Sequence, residues 1–303
     1  MNRIVKSGIV GALALSMAGC GSSSGNKSKA SAKTTTITVA IAPDYAPYES
    51  LDKKGNIVGF DADMVKLFPS YLNTATTKYK FKYNQMSFDN IINQLQAGQA
   101  DVGISGFSYN KKRKVSWSVP YTATAQVAVI NKDSKIKSIK DLEGKKLAAQ
   151  SGSTGEVAAK KVKGATVSSV SNAQENFPAL KAKQFDAIIC DLAVAKKYAK
   201  AQNFKILSQS LLDEKNYIVA KQGNTKMIGI MNKALKIGIA IAATLAAAAG
   251  ALLVIKKFFC KCNEEPVEVI EIDCSEDDPV PEQEDEPQAE QNDQPADEEK
   301  PEE

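Results

Sequence analysis

The chain of 303 residues contains no histidine. That absence removes the usual general base near neutral pH, the commonest transition-metal ligand and any Ser-His or Cys-His nucleophile. An enzyme is therefore not expected. Cysteine is scarce and scattered, with Cys20 near the start, Cys190 alone in the body, and Cys260, Cys262 and Cys274 near the end. This is not the dense framework of a disulfide-stapled domain, and without histidine it is a poor zinc spacing. No cofactor or metal site is expected. Tryptophan occurs once, at Trp117, and arginine only at Arg3 and Arg113, every other cation being lysine. An ammonium suffices for solubility, whereas the planar guanidinium fork grips a carboxylate through two parallel hydrogen bonds. Arg113 is the residue to explain, although its run Lys111-Lys112-Arg113-Lys114 by itself also fits a solvated charge.

Charge is unevenly placed. The formal net charge is +4, yet residues 264–303 hold 19 of the 35 acidic residues and one lysine. The body is basic and the tail acidic. Evenly spread lysine with no aromatic–basic cluster fits a soluble surface, so nucleic acid is not an expected partner.

Only two long apolar runs exist. The first, residues 9–17, follows Arg3 and Lys6 and is too short to span a bilayer, which marks residues 1–19 as an export signal. It ends in Ser16-Met17-Ala18-Gly19-Cys20, which resembles the lipobox of bacterial lipoproteins, with Met17 in place of the usual leucine. The resemblance implies diacylation of Cys20, the alternative being an ordinary signal peptide. Residues 20–36, rich in Gly, Ser, Lys and Thr, read as a flexible tether.

From residue 37 strand-like and helix-like patterns alternate. Strands are expected at 37–41, 101–104, 146–149 and 185–190, and helices at 63–72, 88–95, 154–162, 173–182 and 192–201. Phe88, Ile91, Ile92 and Leu95 fall at the spacing of one helix face. The alternation predicts an α/β fold with a parallel sheet and ligands at the carboxyl ends of its strands. Extended crossings near 121–130 and 216–220 predict two lobes.

Three strand ends carry polar groups: Ser105-Gly106-Phe107-Ser108 followed by Arg113, Ser151-Gly152-Ser153-Thr154-Gly155 opening a helix, and Asp191 after Cys190. A small-residue loop before a helix offers amide N–H groups to an anion, and an aspartate holds an ammonium. Together they match the two charges of an α-amino acid. Singly, the glycine-serine stretch also reads as a plain loop and Asp191 as a helix N-cap.

The chain resembles the amino-acid-binding proteins of bacterial ABC importers, solute-binding protein family 3, over about residues 37–236. The resemblance is carried by Ala42-Pro43-Asp44-Tyr45-Ala46-Pro47-Tyr48-Glu49, by Gly59-Phe60-Asp61-Ala62-Asp63, by Phe88-Asp89, by Gly98-Gln99-Ala100-Asp101, by Tyr121, and by the run from Ile139 to Lys145. It implies a two-lobed periplasmic-binding-protein-like fold of type II with a hinge of two crossing strands. Lobe 1 would comprise 37–122 and 218–236, and lobe 2 residues 123–217. It further implies that Arg113 clamps the ligand carboxylate with Ser108 and the Ser153-Thr154 loop, and that Asp191 and the Gly106 carbonyl hold the α-ammonium. Tyr45 and Phe88 would sandwich the side chain, although as residues both also read as core aromatics. Cationic-ligand members commonly carry an aspartate where Ala42 stands, so a neutral polar amino acid is expected and an acidic one stays open.

The C-terminus departs from that family. Its final helix is missing, which leaves an apolar face of lobe 1 uncovered. Instead residues 237–255 carry no charge and comprise eight alanines and eight Leu, Ile or Val, followed by Lys256-Lys257. Such a stretch reads as a transmembrane helix with its lysines on the cytoplasmic side, or else as an alanine-rich core helix. Residues 256–303 then form a basic juxtamembrane segment and a disordered acidic tail. The expected partners are a free α-amino acid, an ABC permease and the membrane, reached by lipid and helix. The alternatives are a membrane-spanning amino-acid sensor and a recombined or engineered anchored binding domain.

Overall fold

A computed structural model describes residues 32–259, with side chains as far as Thr244. The expected signal segment 1–19, Cys20, most of the tether and the acidic tail lie outside the described residues.

Strand β1 (Lys33–Ile41) begins four residues before the expected start, so Lys33 to Thr36 belong to the sheet and not to a tether. Val39 faces one apolar core and its neighbour Ala40 another. Both faces are therefore covered, as a parallel strand requires. A small antiparallel sheet follows, of β2 (Asp44–Tyr45), β3 (Glu49–Leu51) and β4 (Ile57–Val58). Helix α1 (Phe60–Leu72) starts at Gly59, whose φ of 120° and close approach to the Tyr48 carbonyl, where a Cβ would stand 2.4 Å away, admit only glycine. The helix buries Ala62, Val65, Phe68 and Leu72 on one face.

Strand β5 (Thr77–Gln85) pairs in parallel with β1 along its whole length. Sequence reading passed over it, because its alternating Lys, Tyr and Phe suit a half-exposed sheet edge and leave no continuous apolar run. A 3₁₀ turn at Phe88–Asn90 leads into α2 (Ile91–Gln96), and β6 (Val102–Ser108) closes the first αβ unit. Strand β7 (Val115–Asn131) then crosses into the second lobe. That lobe holds β8 (Lys146–Gln150), α3 (Thr154–Lys160), β9 (Thr166–Val170), α4 (Asn176–Lys181), β10 (Ala187–Asp191) and α5 (Leu192–Gln202). Strand β11 (Phe204–Lys221) returns to the first lobe, where α6 (Thr225–Phe259) begins.

The large sheet is continuous, in the order β5-β1-β6-β11-β7-β10-β8-β9. It is mixed and not purely parallel, because β7 and β11 run antiparallel to each other through its centre. Those two strands are the crossings expected from sequence, and register shifts interrupt their ladder between Ile206 and Leu212 and again between Asn216 and Val219. The fold is thus two-lobed α/β, each lobe having an apolar core on both sides of its half of the sheet.

Helix α6 runs unbroken for 35 residues. Its first turns bury Ile228, Met231, Ala234 and Leu235 against α1 and the lobe 1 sheet, and Asn232 Oδ1 accepts the Val119 amide at 2.8 Å. Each such large side chain contributes roughly 1.5–3 kcal/mol by burial. Gly238 still lies against the Tyr71 ring, and from Ala240 to Thr244 the helix is exposed. By length and composition the stretch Thr225–Thr244 is apolar enough to cross a membrane, with 22% of its most apolar window buried.

Candidate functional site

A cleft between the lobes encloses about 250 Å³ of non-protein space open to solvent, lined by Tyr45, Phe88, Gly106, Ser108, Arg113, Ser153, Thr154 and Asp191 together with Ser105, Gln126 and Gln150. All eight residues singled out in the sequence surround this one cavity. They come from the ends of β6 and β10, from the loop after β6 that carries Arg113, from the start of α3 after β8, from the β2 segment and from the turn before α2.

Arg113 lies over two stacked aromatic rings, its Cζ 5.5 Å from the Phe88 centroid and 5.2 Å from that of Phe107. A desolvated guanidinium gains from such faces. Its Nη1 donates to the Ser108 carbonyl at 2.6 Å and its Nη2 to the Gly152 carbonyl at 2.7 Å. The second bond joins the lobes. Burial lowers its pKa to about 10, opposed by the nearby Glu214 carboxylate, so the charge persists at neutral pH.

Several groups make bonds the sequence did not foretell. The Ser108 hydroxyl donates to Asn216 Oδ1 at 3.1 Å. Ser153 is the N-cap of α3, accepting the Glu156 amide at 3.0 Å and donating to the Gln150 carbonyl. The Thr154 hydroxyl donates to Glu214 Oε2 at 2.8 Å. Phe88 stacks on Phe107, and Tyr45 stacks on Tyr48.

Asp191 is fully buried at the N-terminus of α5, yet its side chain makes no capping bond. The carboxylate turns instead into the cleft, accepting from the Gln126 amide, from Thr124 Oγ1 at 3.2 Å and from the Tyr45 hydroxyl at 3.4 Å. These donors are neutral. Burial first, and the Glu214 charge second, push its pKa up to about 7. A buried carboxylate without a counter-charge is costly, and a cation entering the cleft relieves that cost.

Glu214, Gln126 and Gln150 were missed by sequence reading. Gln126 and Glu214 lie in the hinge strands β7 and β11, where no motif marks them, and Gln126 Nε2 also donates to Glu214 Oε2 at 3.0 Å. Gln150 Nε2 donates across the lobes to Asp44 at 3.1 Å, and burial raises the Asp44 pKa to about 6. The site thus sets a guanidinium and a buried carboxylate with neutral donors around one small cleft.

Residues 37–292 match the model of the bacterial extracellular solute-binding proteins, family 3, beyond the point near 236 where the resemblance read from sequence ends. The chain is 30% identical to the arginine-binding extracellular protein ArtP of Bacillus subtilis over 203 residues, 64% of this chain and 76% of the relative. The arginine-bound form of a truncated ArgBP from T. maritima superposes with a TM-score of 0.61 at 32% identity, covering 66% of this chain and 95% of that one. An ancestral arginine-binding protein bound to glutamine gives 0.60 at 35% identity, covering 66% and 90%. The chain belongs to family 3 of the bacterial extracellular solute-binding proteins.

Proposed function

We propose that this protein is an extracytoplasmic receptor that closes on a free α-amino acid and delivers it to an ABC importer. One observation carries the reading. Arg113 of lobe 1 and Asp191 of lobe 2 face one cavity, and the side-chain donors to the buried Asp191 carboxylate among the described residues, Gln126, Thr124 and Tyr45, are neutral. A zwitterion supplies the missing cation to Asp191 and a carboxylate to Arg113, assisted by Ser108, Ser153 and Thr154, with the Gly106 carbonyl beside the ammonium. Contacts from both lobes favour the closed form, which is what drives ligand-induced closure. Tyr45 and Phe88 are proposed to flank the side chain.

The ligand side chain is proposed to be polar and uncharged. Ala42 is buried and brings no carboxylate, and Asp44 is committed to Gln150 and to the Ala173 amide. The relatives named above bind arginine or glutamine, and the amides of Gln126 and Gln150 suit the latter. Calorimetry of residues 32–236 against glutamine, asparagine, glutamate, arginine and lysine tests both levels. Tightest binding of arginine would overturn the neutral preference, and binding of none would overturn the receptor itself. No turnover of the bound acid is expected, and product formation by the purified domain would show an enzyme instead.

Residues 237–255 are proposed to span the membrane, with Cys20 lipidated outside and the tail inside. A second reading, a membrane-spanning sensor, is favoured by one observation: hinge strand β11 leads within four residues into α6, which continues unbroken into the apolar stretch. Cross-linking to a permease supports delivery, and ligand-dependent protection of the tail with no permease adduct supports sensing.

A further inference from the structure

Behind the cleft, on the lobe 1 side, lie two carboxyls for which the proposed mechanism has no use. Glu49 in β3 and Asp61 in α1 both have zero exposure. Glu49 Oε1 accepts from Ser105 Oγ at 2.7 Å, and that same oxygen of Ser105 accepts the Ala42 amide at 3.1 Å. Asp61 Oδ2 accepts the Gly106 amide at 3.2 Å and the Tyr121 hydroxyl at 3.1 Å. The two carboxyls hold adjacent residues, Ser105 and Gly106, and the field of Asp61 acts on Glu49. Each has one oxygen left, Glu49 Oε2 and Asp61 Oδ1, with no donor among the described residues.

Two ionised carboxylates in that position would repel each other in a medium of low dielectric, with no counter-charge among their donors. One proton held between the two carboxyls would remove that repulsion and supply the missing donor. We propose that Glu49 and Asp61 share one proton, and that this acid pair is the positioning element that fixes the Ser105–Gly106 corner of the binding cavity. Gly106 has a left-handed φ of 58°, and its amide is held in that geometry by Asp61 while Ser105 beside it is held by Glu49. The pair acts on the ligand only through these neighbours.

Burial and the Asp61 charge hold the Glu49 carboxyl well above the usual range, which makes Glu49 the proton carrier and Asp61 the acceptor. The groups facing the pair are Tyr48, Tyr83 and Tyr121, all pushed upward by burial, and Asp44. The three phenols stay protonated between pH 5 and 9. A proton kept in the folded state but lost in the unfolded one makes stability fall as pH rises above the ordinary glutamate range. The amide of Glu49→Gln mimics the protonated acid, donating to Asp61 and accepting from Ser105, and carries no such proton.

The test compares the full chain in detergent, wild type against Glu49→Gln, by thermal unfolding without ligand from pH 5 to 9. The expected result is a wild-type Tm that falls with pH relative to the variant, up to about a tenfold change in the ratio of their unfolding constants per pH unit. Asp44 and Asp191 titrate in both proteins and cancel in that ratio. Parallel Tm profiles would overturn the shared proton. The positioning role is read separately with glutamine and arginine as probes: Glu49→Gln retains wild-type affinity and Glu49→Ala loses tenfold or more. A folded Glu49→Ala with undiminished affinity would overturn it; if that variant does not fold, loss of affinity in Glu49→Gln overturns it instead. The unfolding comparison uses no ligand, so failure of every amino acid to bind wild type would sink the receptor reading alone.

Discussion

The hydroxyl of Tyr45 accepts the backbone amide of Asp191 at 2.9 Å and lies 3.4 Å from its carboxylate, a contact between residues 146 apart in sequence. One atom of lobe 1 is thereby bonded to the strand end of lobe 2 that holds the uncompensated carboxylate. The phenol is buried, and burial together with the Asp191 charge holds it protonated far above neutral pH. It reports on closure as much as on the ligand.

Tyr45→Phe keeps the ring against Tyr48 and removes only this link. The expected loss is about 1 kcal/mol of binding free energy, the net scale of a hydrogen bond. Calorimetry measures the affinity and small-angle scattering the open fraction. An unchanged affinity with unchanged compactness would show the hydroxyl to be idle.

Arg113→Lys should cost about 2 kcal/mol or more, because an ammonium cannot serve the Ser108 and Gly152 carbonyls and a bound carboxylate at once from one planar fork. Titration calorimetry reads this as roughly a thirtyfold weaker Kd. Wild-type affinity in the lysine variant would remove Arg113 from the proposed site.

The pH dependence of binding follows from Asp191, whose pKa of about 7 is raised by burial and by Glu214. An ammonium ligand binds the ionised form, so protons compete with it. Affinity should fall by about tenfold between pH 8 and pH 6. In the ligand-free protein the sign reverses, since a raised carboxyl pKa adds stability as pH falls from about 7 towards the ordinary aspartate range. Asp191→Asn should abolish the slope in affinity and remove only the Asp191 share of the slope in stability, leaving the shares of Asp44 and Glu49. An affinity that is level from pH 8 to 6 in wild type would contradict the ammonium role.

Helix α6 predicts two separable anchors. The buried Ile228, Met231, Ala234 and Leu235 all precede residue 237, so a chain stopped after Lys236 keeps its lobe 1 packing. Cys20→Ala in the full chain should leave the protein in the carbonate-resistant membrane fraction. The same substitution with a stop after Lys236 should release it. Release by Cys20→Ala alone would show that α6 does not span.

Of the residues that line the cleft, Arg113, Ser153, Thr154 and Asp191 were legible from local chemistry, as a lone guanidinium, a small-residue loop before a helix and an acid at a strand end, whereas Tyr45 and Phe88 came only through the resemblance to the family. The main strands and helices around them followed from periodicity, apart from β5, whose lysines hide its alternation, and the short β2, β3, β4 and β9. What each side chain touches was not legible. Asp191 was open to reading as a helix cap, and only the packing of β10 against β7, which brings Gln126 beside it, turns its carboxylate into the cleft.

The sequence by itself determined a two-lobed α/β chain without histidine chemistry, carrying one arginine, one strand-end aspartate and an apolar stretch near its end. Periodicity and composition act over a few residues, and these features need no more. Tertiary structure alone decided that the large sheet is mixed and continuous, that α6 docks on lobe 1 before it emerges, that Tyr45 and Arg113 bridge the lobes, and that Glu49 meets Asp61 behind Gly106. Each of these depends on contacts between segments distant along the chain, where the cost of burying a polar group is set by whichever partner the fold brings to it.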